Sequence, residues 1–411
     1  MSTTWPASPS CASCWAVSSM AEKQNTPEIR FEGFTDPWEQ RKLGDCFEFL
    51  KNNTLSRAGL NGENGTARNV HYGDILIKFG DCLDGERNDL PFITDDTVLP
   101  KFAGSILREG DVIFADTAED EAAGKCVELR KLPKEPTISG LHTIPARPRF
   151  PFGTGYLGHY LNSDAYHRQL LPLMQGIKVT SVSKAALQDT QVRFPGLSEQ
   201  AAIGAALSEI DTLITLHQRK YDKLCTVKKS MLDKMFPKPG ETEPDIRFEG
   251  FTDPWEQRKL GEIALVTMGQ SPNGACYTDN PNDAVLVQGN ADLKDGWVSP
   301  RVWTTAVTKT AKAGDLIMSV RAPVGAMGKT AYDVVLGRGV AGIAGNEFLF
   351  QALSKKEAEG YWSTVSAGST FDSINGDELR NTPVNCPRSE LECETIGDCL
   401  SKVDSLITLH Q

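Results

Sequence analysis

Residues 29–44 read IRFEGFTDPWEQRKLG, and residues 246–261 read the same sixteen letters without a change. The copies begin 217 positions apart, so the duplicated piece has the size of a domain. Self-similarity at long spacing decides the architecture before any local pattern is weighed. A second repeat agrees. Residues 203–218 read IGAALSEIDTLITLHQ and residues 396–411 read IGDCLSKVDSLITLHQ, identical at eleven of sixteen positions. The chain is one plan written twice: a short motif, a long variable stretch, then a helix.

The helix is legible from Ser198 onward. Ile203, Leu207, Ile210, Ile214, His217, Tyr221, Leu224, Lys228, Met231 and Met235 follow alternating steps of four and three. That seam lasts more than four heptads and predicts a helix with a partner. At a rise of ~1.5 Å per residue it spans roughly 58 Å, from an N-cap at Ser198 to a stop at Phe236-Pro237. Ile396, Leu400, Val403, Ile407 and His410 repeat the steps near the C-terminus. The expectation is an antiparallel or staggered intramolecular coiled coil, with Leu224, Met231 and Met235 partly exposed or covered by another protein. His217 and His410 hold equivalent seam positions. They read either as a polar layer fixing register or as two tolerated, exposed imidazoles.

With 411 residues the chain exceeds a single hydrophobic core. Its 40% hydrophobic and 24% charged residues are ordinary for a globular protein, and no run approaches the length of a membrane span. A net charge of −11 argues against a surface basic all over, though not against a local basic cleft. Ten cysteines include one CxxC, Cys11 and Cys14, without a second pair at zinc-finger spacing. The other eight do not match between repeats and read as reduced cytosolic thiols. Residues 1–19 are small, polar and uncharged, and read as a disordered extension or an upstream misread start.

The variable stretches read as mixed α/β. Short apolar runs bounded by Gly-Asp or Gly-Asn turns predict strands at Asp74-Ile-Leu-Ile-Lys78, Asp111-Val-Ile-Phe114, Ala284-Val-Leu-Val-Gln288 and Asp315-Leu-Ile-Met318. Helices are expected at residues 158–173 and 354–366. Gly110-Asp111 with Gly124-Lys125 has the spacing of Gly314-Asp315 with Gly328-Lys329, and Ser181, Leu187, Thr190 and Val192 recur as Ser373, Leu379, Thr382 and Val384. In the second half, Gln288, Asn290, Arg321 and Arg338 are side chains that make paired hydrogen bonds to base edges. In the first half the basic candidates are Lys78, Arg147, Arg149 and Lys178. Ser369 and Thr370 hold the place matching Lys178. Each of these also reads as an ordinary loop or strand-end residue.

The duplicated RFEGFTDPWEQRKLG string, Phe194-Pro-Gly-Leu-Ser-Glu-Gln200, the run IDTLITLHQRKYDKL and the ending KKSMLDKMFP together carry a resemblance. The chain resembles the DNA-specificity subunit of a type I restriction-modification system. The resemblance implies an α/β (α+β) chain with two duplicated target-recognition domains. Long conserved helices would separate them as an intramolecular coiled coil with pseudo-twofold symmetry. The boundaries would be a disordered leader at 1–26, a first recognition domain at 27–195, a spacer helix at 196–237, a linker at 238–245, a second recognition domain at 246–388 and a shorter second spacer helix at 389–411. It implies double-stranded DNA as ligand, two methylation subunits and restriction subunits as partners, and a cytoplasmic location. The chain itself would catalyse nothing and hold no cofactor or metal; S-adenosylmethionine, and ATP with Mg, would be used by the partners.

Two other classes compete. Phe152-Gly-Thr-Gly155 resembles a fragment of a methyl-donor loop, but no apolar strand leads into it. Asn88-Asp-Leu-Pro-Phe92 is the nearest approach to a methyltransferase tetrapeptide. Asp111, Asp116 and Glu128-Leu-Arg-Lys131 suggest a nuclease with the wrong spacing, and the second copy lacks comparable acids. A two-domain protein-binding scaffold is the remaining alternative, separated by sequence-specific, salt-sensitive DNA binding.

Overall fold

The computed structural model describes residues 15–17, 27–86, 90–366 and 373–410. The chain divides into two compact units, Met1–Leu213 and Ile214–Gln411. The division falls inside one continuous helix of 39 residues, Leu197–Met235.

Both units are built on one sheet plan. In the first, a sheet runs Phe47–Phe49, Thr143–Pro148, Val112–Ala115, Cys126–Lys131, Cys82–Asp84, with only the last pair parallel. A smaller sheet runs Thr137–Ser139, Arg68–Val70, Phe92–Ile93, Leu60–Asn61, with only the first pair parallel. The second unit repeats the directions as Leu265–Met268, Val340–Ala344, Leu316–Ser319, Met327–Lys329, Trp297–Val298. Its smaller sheet runs Val334–Leu336, Ala284–Val287, Trp303–Thr304, Tyr277–Thr278. Leu293–Lys294 and Lys309–Ala311 are edge additions with no counterpart among the described residues of the first unit's sheets.

The central strands read as unbroken apolar runs because both faces are buried. Alternate residues feed different cores: Val112 and Phe114 pack with Tyr156 and Leu157, while Ile113 packs with Val70 and Ile75. In the second unit Leu316 and Met318 pack with Phe348 and Leu349, while Ile317 packs with Val287 and Leu336.

The duplicated string has a structural reason. Arg30 donates through Nε and Nη2 to both carboxylate oxygens of Glu199 (2.7 and 2.6 Å) and through Nη2 to the carbonyl of Asp36. Trp38 Nε1 donates to the same carboxylate at 3.4 Å. Arg247, Trp255, Glu392 and the carbonyl of Asp253 repeat the arrangement. Each acid lies in the first turn of its helix, where a carboxylate is favoured by the helix dipole. Each string is thus a latch between the start of a unit and the start of its helix. It also supplies a ribbon strand: Glu39–Lys42 pairs with Gln191–Phe194, and Glu256–Lys259 with Pro383–Cys386. Glycine brings each helix close. A Cβ on Gly204 would stand 2.3 Å from the Thr154 carbonyl, and one on Gly397 would stand 2.8 Å from the Phe348 amide.

Within the second unit, residues 214–235 run antiparallel to the helix Glu390–Thr408. His217 and His410 meet Nδ1 to Nδ1 at 2.9 Å, and Lys228 pairs with Asp404 at 2.5 Å. The seam is not a continuous zipper. Ile396 and Leu400 are fully buried in the second unit's globular core, Val403 and Ile407 are half-buried, and Met235 is buried beside Phe236 rather than exposed. Ile203 and Leu207 are half-buried, Ile203 against the first unit's core. Ile210 and Ile214 are 50% and 61% exposed, so these two expected pairing positions are uncovered in this chain. The physical reason is the glycine approach, which turns the helix starts into core elements and leaves only later turns for pairing.

Several local expectations differ from the structure. Asp74-Ile-Leu-Ile-Lys78 belongs to a helix, Tyr72–Ile77, not a strand. His71 Nδ1 accepts the Gly73 amide at 3.2 Å, and Arg57 grips Asp74 at 2.6 and 2.9 Å. Cap and ion pair outweigh the preference of isoleucine for strands. The helix expected at 158–173 is broken into Tyr156–Asn162, Asp164–His167 and a 3-10 turn, Leu171–Leu173, because Ser163 is extended. The one expected at 354–366 starts earlier, under an Asn346 cap. It divides into Glu347–Ala358 and Tyr361–Ser366 around left-handed Gly360. Gly124 corresponds to Gly325, not to Gly328: the first two hold left-handed turns, while Gly328 lies inside a strand. Trp15–Val17 forms a strand antiparallel to Ile29–Phe31, against the expected disorder at those three residues. The rest of residues 1–26 lies outside the described residues.

Candidate nucleic-acid interface

In the second unit three candidates converge from three strand ends. Gln288 follows Ala284–Val287, Arg321 follows Leu316–Ser319, and Arg338 sits between Val334–Leu336 and Val340–Ala344. Gly337 and Gly339 flank Arg338 for a steric reason. The Gly337 amide donates to the Val287 carbonyl at 2.7 Å, and a Cβ on Gly339 would stand 2.1 Å from the Gln288 carbonyl. The turn lies so close to the strand end that only the middle residue can carry a side chain. Ser271 Oγ accepts the Arg338 amide at 3.1 Å, and Ser319 Oγ donates to the Arg321 carbonyl at 2.8 Å.

These three side chains, with Ser271, Pro272 and Tyr277, line a cavity of about 540 Å³. Both arginines are exposed, and neither has a carboxylate partner among the described residues. A chain of net charge −11 thus holds an uncompensated cationic cavity. Guanidinium forks match the paired acceptors of guanine and of phosphate. Asn290 is exposed in the following turn and does not line the cavity. Ser369 and Thr370 lie outside the described residues.

The first unit's candidates behave differently. Arg147 gives both of its donors to Asp111 at 2.9 and 2.7 Å and a further bond to the Ile106 carbonyl, so its charge is already matched. Arg149 is exposed, with Nε donating to the Phe47 carbonyl at 3.2 Å. These two share a cavity of about 480 Å³ with Arg108, Arg130, Phe150 and Phe152. Lys78 does not line it and pairs with Asp74 at 3.1 Å. Burial alone would raise the Asp74 carboxyl, but Arg57 and Lys78 outweigh it and hold it below the ordinary carboxylate range. Lys178 is exposed in a hairpin closed by Gln175 and Ser181, outside the cavity. Sequence reasoning missed Tyr277, Ser271, Arg108 and Arg130, of which only Arg108 adjoins a predicted strand.

The features that suggested an enzyme are otherwise engaged. Gly153 N donates to Gln200 at 2.8 Å, and Gly155 N and Gly158 N donate to Glu128 at 2.5 and 2.9 Å. The loop amides that a methyl donor would need are occupied from within. Burial pushes the Glu128 carboxyl above its ordinary range against those two bonds. Asp111 is held by Arg147. Among the described residues, no cluster of three His, Cys, Asp or Glu could hold a metal ion, and no helix is long and apolar enough to cross a membrane. The eight described cysteines are free, and Cys11 and Cys14 lie outside the described residues.

Residues 252–411 match the family model for the type I restriction modification DNA specificity domain. The putative type I restriction enzyme MjaX specificity subunit of Methanocaldococcus jannaschii is 24% identical over 409 residues, covering 95% of this chain and 92% of that protein. By both matches the chain is similar to type I restriction-modification specificity subunits. The fold is shared with solved structures. The S subunit from M. genitalium aligns over 91% of each chain with a TM-score of 0.62 at 12% identity. A chain from a structural study of type I R-M complex assembly and conformational transition aligns over 90% of this chain and 91% of its own, with a TM-score of 0.50 at 23% identity. The duplicated latch lets one chain hold two sheet units of different surface.

Proposed function

We propose that this specificity subunit reads a bipartite DNA target, one half with each unit, and docks methylation and restriction subunits while catalysing nothing itself. The observation that carries the reading is the second unit's cavity, where Arg321, Arg338 and Gln288 converge without an acidic partner. Two units of one plan, diverged at their strand ends, support two different half-sites. The bipartite reading also expects a fixed gap between the half-sites. Two modest interfaces on one chain gain affinity through effective concentration. The net charge of −11 assigns much of the phosphate contact to partner subunits. Exposed Ile210 and Ile214 support docking of a methylation subunit on the helix. S-adenosylmethionine, and ATP with Mg²⁺, serve those partners rather than this chain.

The test is a methylome. This chain is expressed with its cognate methylation subunit in a methylation-free host, and modified bases are mapped by long-read sequencing. A split motif with two specific halves and a fixed gap is expected. A soluble complex that leaves DNA unmodified, or modifies it without a motif, overturns the proposal.

A further inference from the structure

The second unit's reading cavity has a counterpart in the first that the sequence concealed. Backbone hydrogen bonds establish the correspondence. Gly140 N to Val70 O (2.9 Å) repeats as Gly337 N to Val287 O (2.7 Å). Asp116 N to His142 O (3.1 Å) repeats as Val320 N to Gly339 O (2.9 Å), and Val182 N to Asp116 O (2.8 Å) as Ile374 N to Val320 O (3.0 Å). The pairing of Thr117 with Ser181 repeats as that of Arg321 with Ser373. His71 therefore stands where the second unit has Gln288, Thr117 where it has Arg321, and Leu141-His142 where it has Arg338-Gly339.

We infer that His71, Tyr72, Thr117 and His142 form the first unit's reading site, one that accepts a hydrogen bond from the amino group of adenine or cytosine at the place where the second unit donates to guanine. The inference rests on the reading of this chain as a DNA-recognition subunit.

The residues form one cluster. The Tyr72 ring lies 4.7 Å from that of His71 and meets that of His142 edge-on at 5.3 Å. Thr117 Oγ1 donates to Asp116 Oδ1 at 2.7 Å. His142 Nδ1 stands 3.3 Å from the same carboxylate oxygen and 3.5 Å from Thr117 Oγ1. A carboxylate only accepts, so the proton of the neutral ring belongs on Nδ1 and Nε2 keeps a lone pair. The His142 side chain is 47% exposed, open to a ligand. Adenine and cytosine show an amino donor in the major groove, whereas guanine shows only acceptors.

His142 also holds a left-handed backbone, φ +53°, which Gly339 at the matching place does not share. A non-glycine residue there is uncommon and strained, a cost that a functional side chain justifies. His71 is fixed in the other tautomer. Its Nδ1 accepts the Gly73 amide, leaving Nε2 to donate, and burial followed by the nearby Arg57 lowers its pKa so that the ring stays neutral.

The test compares methylomes of the complex carrying the wild-type chain, His142→Gly, His142→Asn and Arg338→Ala. Glycine is the second unit's own residue and relieves the backbone, so that variant keeps its fold. His142→Gly should relax one position, an adenine or cytosine, in one half of the motif, with about tenfold loss of discrimination there. The other half and the gap stay unchanged. His142→Asn, which tolerates the backbone and keeps an acceptor, should retain the preference. Arg338→Ala should relax a guanine in the opposite half. An unchanged motif for His142→Gly, changes in both halves, or relaxation at a guanine or thymine would overturn the inference while the wild-type split motif still supports the proposed function. A wild-type complex with no motif would overturn the proposed function first.

Discussion

Removing the second latch acid, Glu392→Ala, tests why the sixteen-residue string occurs twice. Glu392 is 1% exposed and Arg247 14%, joined by two charge-assisted bonds at 2.7 and 2.9 Å. Stripping one partner from a buried ion pair costs about 3–5 kcal/mol, because the remaining charge stays desolvated. Arg247 keeps its bond to the Asp253 carbonyl at 2.6 Å and a little access to water, which favours the low end. Trp255 Nε1, in a residue only 4% exposed, loses its acceptor as well, a further ~1 kcal/mol or more. A net cost of about 3 kcal/mol corresponds to roughly a hundredfold or more in local opening. The assay is hydrogen exchange read by mass spectrometry on peptides covering residues 244–263 and 27–46. Their shared string has the same intrinsic exchange rates, and their flanks tell them apart. Amides of Glu256–Lys259 should exchange about a hundredfold faster, while those of Glu39–Lys42 should not change. Equal protection in variant and wild type, or equal acceleration of both copies, would refute the latch as a local device.

Three further outcomes are expected. Gly397→Ala should lower the second unit's stability by about 1–2 kcal/mol, because the steric cost of a Cβ 2.8 Å from the Phe348 amide exceeds the helix-propensity gain of about 1 kcal/mol; a denaturation midpoint that rises would contradict this. The Asp74 carboxyl is held below its ordinary value of 3.8, so its stabilisation is full above that pH and lost as pH falls through the lowered value. Asp74→Asn should flatten the acid limb of the first unit's stability curve. His410 is held below its ordinary value of 6.5, chiefly by desolvation and then by Lys220 and His217, so the neutral ring favours the folded helix pair. Pairing should be complete above that pH and weaken as pH falls below it, seen as faster exchange at residues 214–220 and removed by His410→Gln.

What could be read in the sequence followed from identity and from local rules. Two identical strings forced two units. The glycine-bounded apolar runs at 111–114, 284–288 and 315–318 gave strands because both faces of those strands are buried. Gln288, Arg321 and Arg338 could be picked out because each sits where such a run meets a turn. Arg147 and Lys78 looked the same in sequence, yet their carboxylates, Asp111 and Asp74, take the charge. A distance of 36 residues hid the first of these pairs. An unforeseen helical turn, bringing Lys78 over Asp74, hid the second.

The sequence by itself determined that there are two units and where the duplicated strings and the helices that follow them lie, because those features repeat residue by residue. The tertiary structure alone decided which helix positions are buried and which side chains share a site. His71, Thr117 and His142 correspond to Gln288, Arg321 and Gly339 at offsets of 217, 204 and 197 positions. No single alignment spacing joins all three. Hydrogen-bond register does, because strand pairing fixes neighbours in space whatever the length of the loops between them.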